Sequence, residues 1–167
     1  MSETQKKLGL LEIRKTQAPD EEDIVSLLEH GHKESRLGHI PFAQVRLRKF
    51  LQGAFKDTDG TAIQGFVARV DGEPVGLISA SMNQGLASEN FFASTLIFYV
   101  KAEYRGSQIP DLLLDNITAW ARTKNARELL VHVTMGEEYG ADRSNAFFRK
   151  KGMKSTGENF SLRLDEE

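Results

Sequence analysis

The sequence has no cysteine, four prolines and a single tryptophan among 167 residues. Without cysteine the chain has no disulfide bonds, no thiolate metal ligands and no cysteine nucleophile. No stretch approaches the ~18 consecutive apolar residues of a transmembrane helix, and the N-terminal residues lack the apolar run of a signal peptide. We therefore expect a cytoplasmic protein that contacts no membrane.

The charges also lack a dominant sign. Lysine and arginine number 22 against 24 acidic residues, for a net charge of −2. This balance provides no basic field of the kind that attracts nucleic acid, so no nucleic-acid partner is expected. Hydrophobic residues at 40% and charged residues at 28% are typical of a globular protein. At this length we predict a single domain spanning residues 1–167.

Hydrophobic periodicity and turn residues predict ten elements in the order β-α-α-β-β-β-α-β-α-β. The predicted strands cover residues 10–16, 64–70, 75–83, 91–100, 129–134 and 154–164. The predicted helices cover residues 18–31, 42–54 and 110–124, with a fourth ending at Gly152. The Asp71-Gly72 pair indicates a hairpin. The order favours an α+β or mixed α/β fold around one mainly antiparallel sheet, with residues 91–134 forming a right-handed parallel crossover.

The stretch EYRGSQIPDLLLDN, residues 103–116, joins the long apolar strand to the third helix. A strand, a short loop and a helix N-terminus commonly hold a phosphate on backbone N–H groups. Gln108 is bulky for such a loop, and Pro110 removes one N–H. Proline suits a first helical position, so we expect Pro110 to begin the helix. A simple strand-to-helix turn is the alternative interpretation.

The chain resembles the GNAT superfamily of acetyl-CoA-dependent N-acetyltransferases in three respects. These are the order of elements, the segment FYVKAEYRGSQIPDLLLD and the segment NAFFRKKGMK near the C-terminus. The resemblance implies a three-layer domain, with helices on both faces of a central, twisted, mainly antiparallel sheet. It also implies transfer of acetyl from acetyl-CoA to a primary amine of a small molecule or peptide.

The resemblance further implies which residues bind the cosubstrate. The backbone of residues 98–100 would pair with the pantetheine amides, and the loop 105–110 would hold the pyrophosphate. The implied cosubstrate-binding residues are Phe98, Tyr99, Val100, Arg105, Gly106, Ser107, Gln108, Ile109, Pro110, Asn145 and Phe148.

The resemblance places a tyrosine general acid four residues before the glycine that ends the last helix. Phe148 occupies that position and cannot donate a proton, so we expect it to pack against the cosubstrate or the core. Three other residues are candidates for proton transfer. Tyr139 is a candidate acid, His132 a candidate base, and Glu89 a candidate base acting through water. An uninvolved loop tyrosine and a structural histidine are the alternatives.

Other interpretations stay open at this point. The cluster Glu29-His30-Gly31-His32 resembles metal ligands, but its histidines point to different sides of a helix, and no metal is predicted. A degenerate fold that binds a CoA ester and serves as a regulatory module is the main alternative to an enzyme. Use of another acyl-CoA is a third hypothesis. The resemblance also implies that the C-terminal strand can pair with another subunit, giving a homodimer.

Overall fold

The structure is a computed structural model that describes residues 9–135, 140–157 and 161–164. Its elements follow the predicted order as far as the fourth helix. Within the described residues, the strands are β1 Leu11–Lys15, β2 Ile63–Val70, β3 Glu73–Gln84, β4 Phe91–Val100 and β5 Leu129–Leu130. The α-helices of the same residues are α1 Glu21–Lys33, α2 Gln44–Ala54, α3 Ile109–Thr123 and α4 Ala141–Lys150.

The strands form one sheet in the order β1-β2-β3-β4-β5. The first three pairings are antiparallel and β4 pairs with β5 in parallel. The predicted hairpin is present, because Asp71 and Gly72 both have positive φ, at 51° and 85°. Two such residues form the turn that matches the twist of paired strands. The prediction of a mixed α+β fold with a mainly antiparallel sheet is confirmed.

Helices cover both faces of the sheet. The cluster under α1 and α2 includes Leu27, Leu51 and Leu77, while α3 packs Leu113 and Ile117 on the opposite face. Apolar residues at helical spacing give each helix one buried stripe. The helix-facing sides of the sheet are therefore distinct, and we name them the α1/α2 face and the α3 face.

Several predicted boundaries are wrong. Helix α1 continues past Gly31 to Lys33, and α2 begins at Gln44 rather than Phe42. Phe42 instead packs against the ring of His32, with centroids 5.5 Å apart. Helix α3 begins at Ile109, so Pro110 is its second residue. Proline still fits there, because the N–H groups of the first helical turn have no partner within the helix.

The C-terminal part departs furthest from the sequence prediction. The fifth strand was expected over 129–134 but ends at Leu130. The described residues of the expected sixth strand, 154–157 and 161–164, form no strand, and Leu162 and Leu164 are exposed. Helix α4 does stop at Gly152, whose φ is +80°. The Gly152 N–H donates to Arg149 O and the Met153 N–H to Phe148 O, the pattern of a Schellman cap.

No helix in the described residues is long and apolar enough to cross a bilayer.

Candidate active site

Strands β4 and β5 separate soon after they begin. They pair only at Ala93 with Leu129 and at Ser94 with Leu130. Beyond Ser94, the described part of the chain places no strand beside β4 on that side. Apart from Val100 O, which accepts a hydrogen bond from Arg105 Nε, the described residues leave the backbone edge of residues 95–100 without a partner on that side. A pantetheine chain needs such an edge if it is to bind like an added strand.

In the loop 105–110, three of the five N–H groups bond within the loop or to the residues just before it. The N–H groups of Arg105 and Ser107 donate to Ala102 O and Tyr104 O, at 3.3 and 3.1 Å. Ser107 Oγ donates to Tyr104 O at 2.6 Å and accepts the Ile109 N–H at 3.2 Å, so this hydroxyl caps the turn.

In the described residues the N–H groups of Gly106 and Gln108 have no acceptor. These two donors lie directly before α3 in the chain and are available to an anion.

The glycine and glutamine of this loop adopt ordinary conformations. Gln108 has φ −72° and ψ −8°, which any residue with a Cβ adopts. Gly106 does not have a positive φ, and a Cβ added there would meet no atom within 4 Å. Neither position requires glycine for its backbone. The side chains of Ile109 and Pro110 are buried.

Arg105 binds protein groups instead of pointing freely into the loop. Its guanidinium contacts the Glu34 carboxylate, and its Nε donates to Val100 O at 2.9 Å. Tyr99 Oη donates to the other oxygen of Glu34 at 3.1 Å. Burial of the phenol and the charge of Glu34 raise the pKa of Tyr99 to about 12, so it stays protonated at neutral pH. This cluster joins the end of α1 to the loop.

Glu34 was missed by the sequence analysis. It lies just after α1 in a segment of mixed charge, and its partners are 65 and 71 residues away along the chain. No local pattern marks such a pairing, because it exists only once α1 has packed over β4.

The first turn of α3 contains an acidic residue, Asp111, which by itself opposes an anion at this helix end. Lys151, which follows α4, offsets that charge. Its Nζ lies 3.0 Å from Asp111 Oδ1 and 3.3 Å from Asp115 Oδ1. The helix N-terminus therefore keeps its favourable dipole for a phosphate.

Phe148 packs against other aromatic rings. The three rings of Phe98, Phe147 and Phe148 have centroids 5.2 to 6.3 Å apart, in tilted and edge-to-face arrangements. This contact fixes α4 to the α3 face of β4. Asn145 is exposed on the same helix and has no hydrogen bond in the described residues.

His132 lies where β4 and β5 separate. Its Nε2 is 2.9 Å from Ser94 Oγ, and its backbone N–H donates to Thr95 Oγ1 at 3.2 Å. Two residues on, Thr134 O accepts the N–H of Arg36 at 2.9 Å, so the loop between α1 and α2 reaches this segment. The structure therefore brings together a histidine, a hydroxyl and the loop that follows α1.

The other two candidates for proton transfer are not part of this group. Glu89 is exposed in the turn before β4, and its carboxylate takes part in no hydrogen bond or ion pair in the described residues. Tyr139 lies outside the described residues.

The sequence model of the Acetyltransferase (GNAT) family matches residues 23–153. The chain belongs to this family, which uses acetyl-CoA as its cosubstrate. No match was found among curated proteins.

Solved structures of acetyltransferases share the fold. A predicted acetyltransferase of Clostridium acetobutylicum with acetyl-CoA has a TM-score of 0.74 at 14% identity, covering 93% of this chain and 97% of that one. Glucosamine-6-phosphate N-acetyltransferase from Arabidopsis thaliana has a TM-score of 0.71 at 13% identity, covering 93% and 99%. The aminoglycoside N-acetyltransferase AAC(6′)-Iy with CoA has a TM-score of 0.69 at 17% identity, covering 96% and 98%. At these identities the likeness concerns the fold alone.

Proposed function

We propose that this chain is an N-acetyltransferase that moves acetyl from acetyl-CoA to a primary amine by direct attack in a ternary complex. The main support is the open edge of β4 beside the Ser94–His132 pair, because it puts a site for a thioester next to a group that accepts protons. Both hydrophobic clusters lie on one sheet, which supports a single domain over residues 1–167.

Backbone groups hold acetyl-CoA in this proposal. The backbone of residues 98–100 binds the pantetheine amides, and the N–H groups of Gly106 and Gln108 bind the pyrophosphate with the α3 dipole. Arg105 and Glu34 hold the loop in place. Phe148 and Phe147 keep α4 against β4, and the exposed amide of Asn145 faces the bound cosubstrate.

Acetyl-CoA supplies an activated acetyl group whose carbon is attacked by the neutral amine. A nitrogen–carbon bond forms, the carbon–sulfur bond breaks, and the amine loses one proton while CoA leaves as a thiolate. Ser94 Oγ takes the amine proton and passes its own to His132 Nε2, which acts as the general base. His132 then releases the proton to solvent.

A tyrosine acid is not required by this chemistry. A thiol is far more acidic than an alcohol, and the cysteine side chain has a pKa of about 8.5, so a thiolate leaves without full protonation. This is compatible with phenylalanine at position 148. Water or Tyr139 can then protonate the sulfur, which completes the conversion of the thioester to an amide and free CoA.

Calorimetry followed by an assay of thiol release tests the proposal. Acetyl-CoA and free CoA should bind at micromolar concentrations, and a panel of primary amines should then release thiol. The absence of binding up to millimolar concentration would reject both the enzyme and a CoA-binding module. Tight binding with no thiol release from any amine would favour a regulatory module, which the lack of a tyrosine at position 148 makes the second candidate.

A further inference from the structure

A cavity of about 660 Å³ lies between α1, α2 and the α1/α2 face of the sheet. It crosses four strands, from Lys15 on β1 past Gly65 and Ser79 to Leu96 on β4. Adjacent strands are about 4.8 Å apart, so three spacings give a length of about 14 Å. The volume falls in the range of small-molecule sites, and the shape suits an elongated ligand.

The wall of the cavity is mainly apolar, including Leu28, Leu47, Phe50, Leu51, Phe55 and Leu77. Phe50 and Leu96 are 45% and 48% exposed. Large apolar side chains that remain exposed beside a cavity mark a site that an apolar ligand can cover. The ligand body that fits this wall is therefore aliphatic or aromatic.

The charged groups of the cavity disfavour a polycation. Among the described residues that line the cavity, Asp57 is the one carboxylate, and both of its oxygens accept hydrogen bonds from the backbone or hydroxyl of residues 61–63. These bonds hold the pKa of Asp57 far below its usual value and occupy its acceptor sites. An ammonium group therefore finds no carboxylate with a free acceptor site among the described residues that line the cavity.

The β4 end of the cavity lies beside the Ser94–His132 pair. The register of β3 and β4 shifts by one residue at Leu96, which forms a bulge. On either side of the bulge, Thr95 lies opposite Ala80 and Ile97 lies opposite Ser79. Ala93 packs on the α3 face, so Ser94 points to the α1/α2 face, as Ile97 does. Ser94 is two residues from Leu96, or about 7 Å along the strand.

We infer that the acceptor is a monoamine on an elongated apolar body, which fills this cavity and extends its nitrogen past Leu96 to Ser94. This inference rests on the proposed function, since it assigns the acceptor of the same reaction. Amines with several cationic groups, such as spermidine, are poor acceptors because the cavity gives their charges no partner.

Alkylamines of graded length test the inference. Each methylene buried in the cavity should lower KM about fourfold, so n-octylamine should have a KM at least tenfold below that of n-butylamine. Spermidine should be acetylated less efficiently than either. Equal KM values for the two alkylamines, or a preference for spermidine, would overturn the inference while leaving an acetyltransferase in place.

Ala54→Phe places a ring in the cavity from α2 and should abolish the advantage of n-octylamine, with CoA affinity unchanged. Gln52→Phe is the matched control, because Gln52 is exposed on α2 and does not line the cavity. Ser79→Leu fills the cavity from the sheet. If Ala54→Phe fails to fold, Ser79→Leu tests the same loss of the n-octylamine advantage. An advantage of n-octylamine that survives in the folded variant would overturn the inference.

Calorimetry of n-octylamine without acetyl-CoA separates the two proposals. Binding that Ala54→Phe abolishes supports the cavity as an amine site, and if no acetylation accompanies it, the proposed enzyme activity alone fails. Thiol release with n-butylamine, together with no measurable n-octylamine binding, rejects the cavity inference alone.

Discussion

Ser94 Oγ and His132 Nε2 lie 2.9 Å apart across the point where β4 and β5 separate. One residue belongs to β4 and the other follows β5, so their contact depends on the parallel pairing that ends at Ser94 and Leu130. A hydroxyl in contact with an imidazole forms a short route for a proton.

Ser94→Ala should lower kcat about tenfold and His132→Gln about a hundredfold, because the proton then has to reach water directly. CoA affinity should be unchanged, since neither side chain binds the loop after β4. Single-turnover kinetics and calorimetry measure the two quantities. Ser88→Ala, in the exposed turn before β4, is the control. Full activity of both variants would show that another group accepts the proton.

Glu34→Gln should weaken CoA binding about tenfold. The amide still accepts the Tyr99 hydrogen bond but no longer pairs with the Arg105 guanidinium, so the loop loses a charge-assisted contact. Titration calorimetry with CoA measures the effect. Glu29→Gln breaks an exposed ion pair with Lys33 and should change nothing. Arg105→Lys should resemble Glu34→Gln, because lysine cannot hold both Glu34 and Val100 O.

Gly106→Glu should weaken CoA binding at least tenfold without lowering the melting temperature by more than about 2 °C. A Cβ at this position meets no protein atom within 4 Å, so the fold tolerates a side chain. The loss arises from negative charge beside the pyrophosphate. Gly106→Gln has a similar size without the charge, and its affinity should lie between those of Gly106→Glu and the parent. Unchanged affinity in Gly106→Glu would show that the pyrophosphate binds elsewhere.

Asp20 should make the fold sensitive to acid. Burial alone would raise the pKa of its carboxyl, but hydrogen bonds from Arg14, the Gln17 N–H and Arg69 outweigh burial and lower the pKa to about 2. The folded pKa lies below the unfolded value of 3.8, so this stabilisation is present above about pH 4 and is lost as the pH falls toward 2. Denaturant melts at pH 6, 4 and 3 measure the trend.

Asp20→Asn should remove much of this dependence of stability on pH. It should also lower the free energy of unfolding at pH 7 by about 3 kcal/mol, because Arg14 and Arg69 lose a buried anionic partner. Glu12→Gln is the control, since Glu12 forms an exposed pair with Arg14 at 3.7 Å and should cost less than about 1 kcal/mol. Equal losses of unfolding free energy in the two variants would contradict the assignment of the acid sensitivity to Asp20.

The sequence by itself determined the order of elements as far as α4, the hairpin at Asp71-Gly72 and the stop at Gly152. These features depend on local periodicity and on residues that tolerate positive φ. The family resemblance also came from contiguous motifs, which the family match over residues 23–153 supports.

Only the tertiary structure decided which of the loop's donors stay free, that Arg105 pairs with Glu34, and that Ser94 meets His132. The partners in the two side-chain contacts are 71 and 38 residues apart along the chain. Such contacts form when helices pack on a sheet whose strands diverge, and no local pattern encodes that divergence. The predicted length of β5 was wrong because strand pairing depends on a neighbouring strand and not only on the strand's own apolar residues.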